Sequence, residues 1–276
     1  MRKKMLFAVF SVLVLLAVAV SPAVAVTDGE LDGNGHPYVV LLLMEVNGRP
    51  AFRCSGTLLS PTVLLTAGHC AGAPSEFSGM RVFTESDVQA GIGTTNNYPF
   101  AGPNSVEAVE WHAHPLYDPN HFALHDVGIV ILQAPGVTGL TTYGTLPTAN
   151  QFDAFKTRRG LQDVSFTSVG YGLQQSFPDA ASWKDVASRT RYVAHPHLIQ
   201  INVPGFTGDF SMLLSNNAHT GGTCFGDSGG PNFLGNSTVV AGVTSFGING
   251  NCAGTGGVFR TDRQDVLDFI YTYFHP

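Results

Sequence analysis

Short apolar runs separated by turn-forming residues recur along the chain beyond its first 25 residues. Few of these runs alternate strictly between apolar and polar positions. Several are continuously apolar, which is typical of strands buried in a barrel or a sandwich. The pattern predicts strands over residues 38–46, 57–65, 106–112, 127–132, 164–171, 198–203, 238–246 and 257–260.

The last segment of the chain follows a different period. Thr261 or Asp262 can cap a helix at its start. Apolar side chains then recur at helical spacing: Val266, Phe269, Ile270 and Tyr273. These features predict a short amphipathic helix that ends the chain and packs by its apolar stripe.

The composition favours the same architecture. Of the 276 residues 32 are glycine and 16 are proline, whereas a helical bundle would be richer in Ala, Glu, Lys and Leu. The 44% of hydrophobic residues suffice to bury a core, which excludes a disordered chain. The net charge of −6 leaves no basic surface to attract nucleic acid. The sequence therefore predicts an all-β protein that binds no nucleic acid.

The first 25 residues have the pattern of a secretory signal peptide. Basic residues at positions 2–4 precede an apolar run over residues 5–20, and Ala23 and Ala25 supply the small side chains that signal peptidase reads. The run is shorter than the roughly 20 residues that a membrane span needs. We expect residues 1–25 to be removed and the product to be secreted, without stable association with a membrane.

Polar and charged residues interrupt the apolar runs over residues 148–163, near the middle of the chain that remains once the signal is removed. We therefore predict two β-domains of similar size. The N-terminal domain spans residues 26–150, with a linker near its end, and the C-terminal domain spans residues 151–276.

Four cysteines lie beyond the signal: Cys54, Cys70, Cys224 and Cys252. An even number in an exported chain favours two disulfides, although the count alone allows three pairings. None lies in a Cys-x-x-Cys pair, which argues against a zinc site built on thiolates. His112 and His114, like His195 and His197, can share a strand face, but no carboxylate or cysteine completes either set. We expect neither a metal nor a cofactor.

Three short stretches supply residue types that together support nucleophilic catalysis: Thr-Ala-Gly-His-Cys at residues 66–70, His-Asp-Val-Gly-Ile at residues 125–129 and Gly-Asp-Ser-Gly-Gly-Pro at residues 226–231. A serine hydroxyl is a weak nucleophile at neutral pH, so Ser228 needs an adjacent base. The imidazole of His69 titrates near neutrality and can act as that base. The carboxylate of Asp126 can hold the imidazole tautomer and stabilise the protonated ring.

Each stretch has a simpler explanation when it is taken alone. His69 beside a cysteine could be a packed core residue, and Asp126 could end a turn. The glycines around Ser228 could form an ordinary tight loop. The occurrence of all three, in this order and each in its own flanking sequence, argues against coincidence.

An esterase is a rival interpretation, because Gly226-x-Ser228-x-Gly230 also fits the nucleophile elbow of α/β-hydrolases. That fold needs an acid and then a histidine after the serine, with a helix directly after it. The only histidine after the serine is His275, next to the end of the chain. Pro231 and the glycines before it also disfavour a helix there. Chain order therefore rejects the esterase.

The Thr-Ala-Gly-His-Cys and Gly-Asp-Ser-Gly-Gly-Pro motifs resemble those of chymotrypsin/trypsin-like serine endopeptidases, and the resemblance runs from about Val26 to the C-terminal helix. It implies two antiparallel six-stranded β-barrels with the active site between them. His69 and Asp126 would come from the first barrel, and Ser228 from the second. It also implies hydrolysis of protein or peptide substrates through an acyl-enzyme intermediate. We expect a monomer.

The resemblance also assigns the groups around these residues. It implies an oxyanion hole made by the backbone N–H groups of Gly226 and Ser228. Ser245, Phe246 and Gly247 resemble the family's Ser-Trp-Gly strand, which pairs with extended substrate. Two disulfides are implied by the same resemblance: Cys54–Cys70 and Cys224–Cys252.

The resemblance places a specificity pocket next to the serine. Gly222, six residues before Ser228, would lie at the base of the pocket beside Thr223. Gly247 and Gly257 would leave its walls open. An acidic residue at the base would favour a basic substrate side chain, but none is present. We therefore expect cleavage after large apolar or aromatic residues, which bind by burial rather than by charge.

Family members usually mature by cleavage before a short apolar N-terminus, whose α-amino group pairs with the aspartate before the serine, here Asp227. The sequence Val-Thr-Asp-Gly-Glu at residues 26–30 resembles such a mature start. No Arg or Lys lies between Ala25 and the first predicted strand, so a tryptic activation site is missing. We predict that signal peptidase exposes Val26 and that its ammonium group pairs with Asp227. The alternative is a frayed N-terminus and another partner for Asp227.

The main alternative from another functional class is a catalytically silent binding protein on the same fold. Such proteins typically lose one of the three catalytic residues, whereas His69, Asp126 and Ser228 are all present. A fold alone does not establish activity. The intact set nevertheless favours an enzyme.

Overall fold

The computed structural model describes residues 26–156, 163–176, 185–186, 188–203 and 208–276. The predicted signal peptide, and residues 157–162 of the predicted linker region, lie outside these ranges. None of the helices within the ranges combines the length and the apolar character that a membrane crossing requires.

In the described part of the chain the strands are β1 (Glu30–Leu31), β2 (Val39–Val46), β3 (Arg49–Leu58), β4 (Val63–Thr66), β5 (Gly79–Phe83), β6 (Ser105–Ala113), β7 (Gly128–Leu132), β8 (Phe166–Gly170), β9 (Gln175–Ser176), β10 (Asp185–Val186), β11 (Tyr192–Ala194), β12 (Leu198–Val203), β13 (Gly208–Asn216), β14 (Pro231–Leu234), β15 (Val240–Gly247) and β16 (Gly254–Arg260). The helices are α1 (Gly68–Ala71), α2 (Val88–Gly91) and α3 (Gln264–Tyr273), with 3₁₀ turns at Pro119–His121 and Gln151–Phe155.

The first β-unit is a closed antiparallel barrel in the order β2-β3-β4-β7-β6-β5. The continuous apolar run of β2 is explained by burial on both of its faces. Leu42 and Met44 belong to the largest apolar cluster. Leu41 and Leu43 point the other way and pack with Tyr171. β2 is therefore a regular strand even though apolar and polar residues do not alternate along it.

The predicted strand over residues 57–65 is wrong as a single element. Its two ends belong to β3 and β4, which pair antiparallel with each other. Between them the hydroxyl of Ser60 accepts the backbone N–H groups of Thr62 and Val63 and closes a turn. The Ser-Pro pair inside the apolar run was the signal for this break.

The second β-unit is a curled antiparallel sheet in the order β1-β11-β8-β14-β15-β16-β13-β12. The all-β class, the antiparallel β-units and the C-terminal helix are thus confirmed. Within the described residues this sheet has eight strands and does not close, whereas the resemblance implied six in a barrel. One of the added strands is β1, which comes from the segment before the first barrel and pairs with β11.

The two ends of the described chain tie the β-units together. β1 precedes the first barrel but joins the second sheet. α3 comes after the second sheet and packs into the largest apolar cluster, which spans both β-units, through Val266, Phe269 and Ile270. Tyr273 stacks on His112 of β6 at 4.6 Å between ring centroids. Segments near both ends of the described chain therefore hold the two β-units together.

The predicted caps of this helix are wrong. The helix begins at Gln264 without a side-chain cap. Thr261 donates its hydroxyl to a carbonyl of β15 instead. Asp262 accepts the backbone N–H of Phe152 and the guanidinium of Arg260. Both candidates are buried, so tertiary partners outcompeted the helix end.

Both disulfides implied by the resemblance are confirmed. Cys54 of β3 is joined to Cys70 of α1, and Cys224 is joined to Cys252. The first bond fastens the one-turn helix that carries His69 to the barrel wall. The second fastens the loop before Ser228 to the approach to β16.

Candidate active site

His69 lies in α1, the one-turn helix that comes after β4. Ala67 gives this helix no side-chain cap, and the carboxylate of Asp126 accepts the backbone N–H of His69 at 2.8 Å. The same carboxylate lies 2.9 and 3.1 Å from Nδ1 of the His69 ring. One side chain therefore fixes both the backbone and the ring of His69, and Nε2 is left on the side away from it.

Asp126 is fully buried at the start of β7. The hydroxyl of Ser245 on β15 donates to its Oδ2 at 2.5 Å. This hydrogen bond crosses from the second sheet to the first barrel. Hydrogen bonds to an ionised carboxylate are short and worth about 1.5–3 kcal/mol. Ser245, which the sequence assigned only to the substrate strand, therefore also positions Asp126.

The pKa of His69 is raised above its usual 6.5. Burial works against protonation of the ring, but the charge of Asp126 and its hydrogen bond outweigh that effect. The side chain keeps 29% of its surface exposed, so the ring reaches the solvent side of the site. The result is an imidazole that is oriented, accessible and more basic than a free one.

His125, directly before Asp126, has a left-handed backbone with φ +52°. A hydrogen bond from Val127 N–H to the carbonyl of His125 closes a tight turn around Asp126. The His125 ring stacks on His114 at 4.9 Å between centroids and lies 5.3 Å from the ring of Phe210. Packing therefore holds the uncommon conformation. Nothing in the sequence, apart from the position of His125 next to Asp126, predicted that its ring packs to hold this turn.

Ser228 lies in the loop between β13 and β14, where Gly226 and Gly229 adopt φ values of +98° and +76°. A Cβ on Gly229 would lie 2.0 Å from the Thr66 hydroxyl, so only glycine fits against the first barrel. Ser55 of β3 donates its N–H to the carbonyl of Ser228 at 2.8 Å and its hydroxyl to the carbonyl of Gly226 at 3.0 Å. The first barrel thus positions the serine loop through hydrogen bonds to the carbonyl groups of the loop.

The predicted oxyanion groups remain available. The backbone N–H groups of Gly226 and Ser228 have no acceptor among the residues that the structure describes. The N–H groups of the two neighbouring residues are used, because Asp227 donates to Cys224 and Gly229 donates to Thr244. Free N–H groups on either side of a buried aspartate can stabilise a developing negative charge beside the serine.

His69 and Ser228 line one cleft of about 590 Å³. Four of the predicted substrate-binding residues line the same cleft: Thr223, Ser245, Phe246 and Gly247. Phe122 and Ile248 also line it, with 43% and 60% of their surface exposed. The sequence did not identify them. The position of Ile248, directly after the predicted substrate strand, could have indicated it. Phe122 lies in a loop in which no sequence feature indicated a role in the cleft.

The base of the predicted pocket is built differently from the expectation. A Cβ on Gly222 would lie 2.3 Å from Cγ of Asn216, so the Asn216 side chain fills the space of a side chain at 222. Asn216 donates to the carbonyl of Thr223 at 2.8 Å and accepts the Thr27 hydroxyl at 2.6 Å. This amide was missed because it lies on β13, a strand that the sequence pattern did not reveal.

Gly256 and Gly257 of β16 face different neighbours. A Cβ on Gly257 would lie 2.3 Å from the ring of Phe246, so that face of β16 is already filled. A Cβ on Gly256 would lie 3.0 Å from the Thr223 hydroxyl. Neighbouring residues of a strand face opposite sides. Gly256, one residue earlier, is therefore the glycine that faces the predicted pocket residue.

Asp227 is fully buried beside the serine. Its carboxylate accepts the backbone N–H groups of Gly172 at 2.8 Å and Cys224 at 2.9 Å. Burial raises the pKa of Asp227 to about 7, although these hydrogen bonds and the charge of Arg53 oppose the rise. No cation in the described part of the chain forms an ion pair with it. A buried carboxyl of this kind is stabilised by a nearby positive charge.

The chain segment that starts at Val26 is docked rather than frayed. Val26 is fully buried among Tyr192 and Ala194. Thr27 pairs with Gly222, whose N–H donates to the Thr27 carbonyl at 3.0 Å. The start of the predicted mature chain is therefore hydrogen-bonded to the residue at the base of the predicted pocket.

A buried ion pair fixes the next part of this segment. Nε of Arg191 lies 2.7 Å from the carboxylate of Asp32, and Nη2 donates to the carbonyl of Gly33 at 2.8 Å. Burial works against ionisation of Asp32, but hydrogen bonds from His36 and Arg191 lower its pKa below the usual value. The entry into the first barrel is thereby anchored to β11.

Comparison with known proteins agrees with this architecture. The family model described as Trypsin matches residues 29–270. Serine protease 1 of Drosophila melanogaster is 27% identical over 258 residues, which cover 89% of this chain and 84% of the relative. Brachyurin of Leptuca pugilator is 28% identical, with 87% and 93% coverage. A solved structure of HL collagenase has a TM-score of 0.66 at 22% identity and covers 89% of this chain and 97% of its own, which supports the fold alone.

The matched family therefore defines the chemical class of the protein, which is a serine-type endopeptidase acting on protein or peptide substrates. The chain belongs to the trypsin family, since the family model spans nearly all of the described residues.

Proposed function

We propose that this protein is a secreted serine endopeptidase in which Ser228 is the nucleophile, His69 the general base and Asp126 the group that orients His69. The observation that carries the proposal is the buried Asp126 carboxylate, which binds both the ring and the backbone of His69 at the edge of the cleft that Ser228 lines. Covalent reaction of Ser228 with a fluorophosphonate tests it.

In the first half of the reaction the Ser228 oxygen attacks the carbonyl carbon of the scissile bond while Nε2 of His69 takes its proton. The imidazolium that forms is stabilised by the Asp126 carboxylate at Nδ1. The N–H groups of Gly226 and Ser228 donate hydrogen bonds to the developing oxyanion. His69 then gives the proton to the leaving amine, and the acyl group remains on Ser228.

In the second half a water molecule replaces the leaving amine. His69 takes a proton from this water as it attacks the acyl carbon, and the same two N–H groups stabilise the second oxyanion. His69 returns the proton to the Ser228 oxygen as the acid departs. The hydroxyl of Ser245 holds Asp126 throughout, so the carboxylate need not reorganise between the steps.

The activity is expected to depend on pH through His69. Only neutral His69 can accept the serine proton, and the pKa of His69 lies above 6.5. kcat/KM should therefore fall as the pH drops through a value higher than 6.5. Replacing Asp126 with Asn removes the main raising influence and should move this acid limb to lower pH. A pH–rate profile measures both, and a limb at or below 6.5 in the native enzyme contradicts the assignment.

The cleft favours an apolar substrate residue before the scissile bond. Thr223, Ser245 and Gly247 offer no charge, and Phe246 gives an aromatic wall. Asn216, which occupies the space at the base, is also neutral. Burying a large apolar side chain contributes about 1.5–3 kcal/mol, whereas a buried cation here would lack a partner.

Peptides that differ only in the residue before the bond measure this preference. We expect Phe, Tyr, Leu or Met to exceed Lys or Arg in kcat/KM by about 10- to 100-fold, the range that the burial energy implies. A profile from a peptide library dominated by Arg or Lys would contradict the proposed pocket.

We further propose that cleavage after Ala25 releases the mature protein to the outside of the cell. Two disulfides join all four cysteines, as expected for a chain that folds in an oxidising compartment. The new ammonium group of Val26 would then pair with Asp227. This pairing would order the serine loop, because Asp227 lies between the two proposed oxyanion donors.

A further inference from the structure

A second concave surface of about 560 Å³ opens beside the serine loop. Apolar and aromatic side chains of the first barrel and its long β5–β6 loop line it. Phe52 is 58% exposed and Ile92 is 39% exposed, next to Tyr98. Two arginines, Arg53 and Arg189, complete the groove.

Both arginines of this groove lack a carboxylate partner in the part of the chain that the structure describes. Arg53 forms no ion pair there, although its charge acts at longer range on the buried carboxyl of Asp227. Arg189 donates to the neutral amide of Gln89 at 2.7 Å and lies over the ring of Tyr98 at 5.2 Å. Its Nε is buried without a hydrogen-bond partner. Within the described ranges, the other buried and partly buried arginines are all paired with carboxylates: Arg81, Arg191, Arg260 and Arg263.

The groove adjoins the active site on a defined side. A Cβ on Gly226 would lie 3.4 Å from Nε of Arg53, so this guanidinium packs against the proposed oxyanion loop. Phe225 lines the first cleft, and Arg53 lines the groove, so the two surfaces meet at Gly226. The first cleft holds the pocket for the residue before the scissile bond. Substrate that continues past Ser228 therefore enters the groove.

We propose that this groove binds the part of the substrate beyond the scissile bond and that Arg53 and Arg189 select an acidic side chain there. The inference rests on the proposed endopeptidase function. Charge complementarity supports it, because the chain is acidic overall, with a net charge of −6, and yet presents two arginines without an ion pair in one concave surface. Phe52 and Ile92 provide apolar contact for the residues around the acid.

The test uses internally quenched peptides that share the residues before the bond and carry Glu, Gln or Lys at each of the first three positions after it. Exposed ion pairs contribute about 0.2–1 kcal/mol each, so two arginines should favour Glu over Gln by about fivefold in kcat/KM. Lys should be slower than Gln. The preference for Glu should shrink as salt is raised from about 0.05 to 0.5 M, because the charges are partly exposed.

Substitutions of the two arginines test whether the preference for Glu arises in the groove. The double change Arg53→Gln and Arg189→Gln should bring the Glu-to-Gln ratio close to one. Arg49→Gln is the matched control, because Arg49 lies on the same strand, is exposed and does not line the groove. It should keep the native ratio. Active-site titration with a fluorophosphonate normalises each rate to the amount of folded enzyme.

Three results would overturn the inference. Equal rates of the native enzyme on the Glu and Gln peptides would overturn it alone, and so would an equal loss of preference in Arg49→Gln. Failure of the native enzyme to cleave any of these peptides, or longer unfolded proteins, would overturn the proposed function and this inference with it.

Discussion

Replacing Ser228 with Ala is expected to lower kcat for peptide hydrolysis by about a millionfold and to abolish labelling by a fluorophosphonate. The change removes the nucleophile that we assign. Because Ser228 is partly exposed, loss of its hydroxyl group should hardly change the stability of the fold. The residual rate would come from the oxyanion donors and from substrate binding. Hydrolysis of a peptide with Phe before the bond, and labelling monitored on a gel, measure the two effects.

Ser237→Ala is a matched control, because Ser237 is an exposed serine in the turn between β14 and β15, where its hydroxyl donates to the Leu234 carbonyl and accepts the Val239 N–H. It should label and hydrolyse as the native protein does. Labelling that survives in Ser228→Ala would reveal another nucleophile. A native protein that neither labels nor hydrolyses would support the catalytically silent binding protein, which shares the fold and lacks the reaction.

The sequence predicted the chemical groups of the site better than their surroundings, for a physical reason. His69 and Ser228 lie in short stretches whose neighbouring residues are themselves required, such as Gly229, which packs against Thr66, and Cys70, which fastens α1 to β3. Requirements of this local kind produce a recognisable sequence motif around each catalytic residue that we propose. The pairing of the disulfides could likewise be carried over with the family resemblance.

Groups that reach the site from distant strands left no local pattern. Asn216 fills the space at Gly222 from β13, and Ser245 bonds to Asp126 across the junction. Their effect depends on the registers of β13 and β15, which pairing in the folded sheet decides. Which of Gly256 and Gly257 faces the proposed pocket depends on register in the same way, since a shift of one residue reverses the face of the strand.

The fold shows the same division. Continuous apolar strands such as β2 and β7 were predicted, whereas β13 and β14 were not. β14 begins at Pro231 and has only four residues, so its pairing with β8 and β15 outweighs its weak strand signal. Burial by neighbours, which the sequence does not display, fixed these elements.

Exposure of Val26 as the N-terminus is expected to switch the enzyme on, and three observations support this. Val26 has φ +48°, which is strained for a β-branched residue while a peptide bond precedes it. Cleavage before Val26 removes that torsion. Thr27 is already bonded to Gly222. Burial raises the pKa of Asp227 to about 7, so its ionised form is disfavoured until a further positive charge pairs with it.

Replacing Asp227 with Asn in the mature protein is therefore expected to lower kcat/KM by about a thousandfold, because removing one partner of a buried ion pair costs about 3–5 kcal/mol. One alanine added before Val26 should have a similar effect, because it moves the ammonium group out of place. Asp28→Asn is the control, since Asp28 is an exposed carboxylate of the same segment. It should leave kcat/KM unchanged. N-terminal sequencing of the secreted protein shows whether the chain starts at Val26.

The sign of the pH dependence separates this ion pair from a structural role of Asp227. Pairing raises the pKa of the Val26 ammonium group above the 7.7–8.0 that is usual for an α-amino group. The active conformation is then fully stabilised below that range and is lost as the pH rises through the raised value. Activity should fall at alkaline pH in the native enzyme, and this limb should vanish in Asp227→Asn. Full activity of Asp227→Asn, or of a secreted chain that starts beyond Val26, would show that another group orders the serine loop.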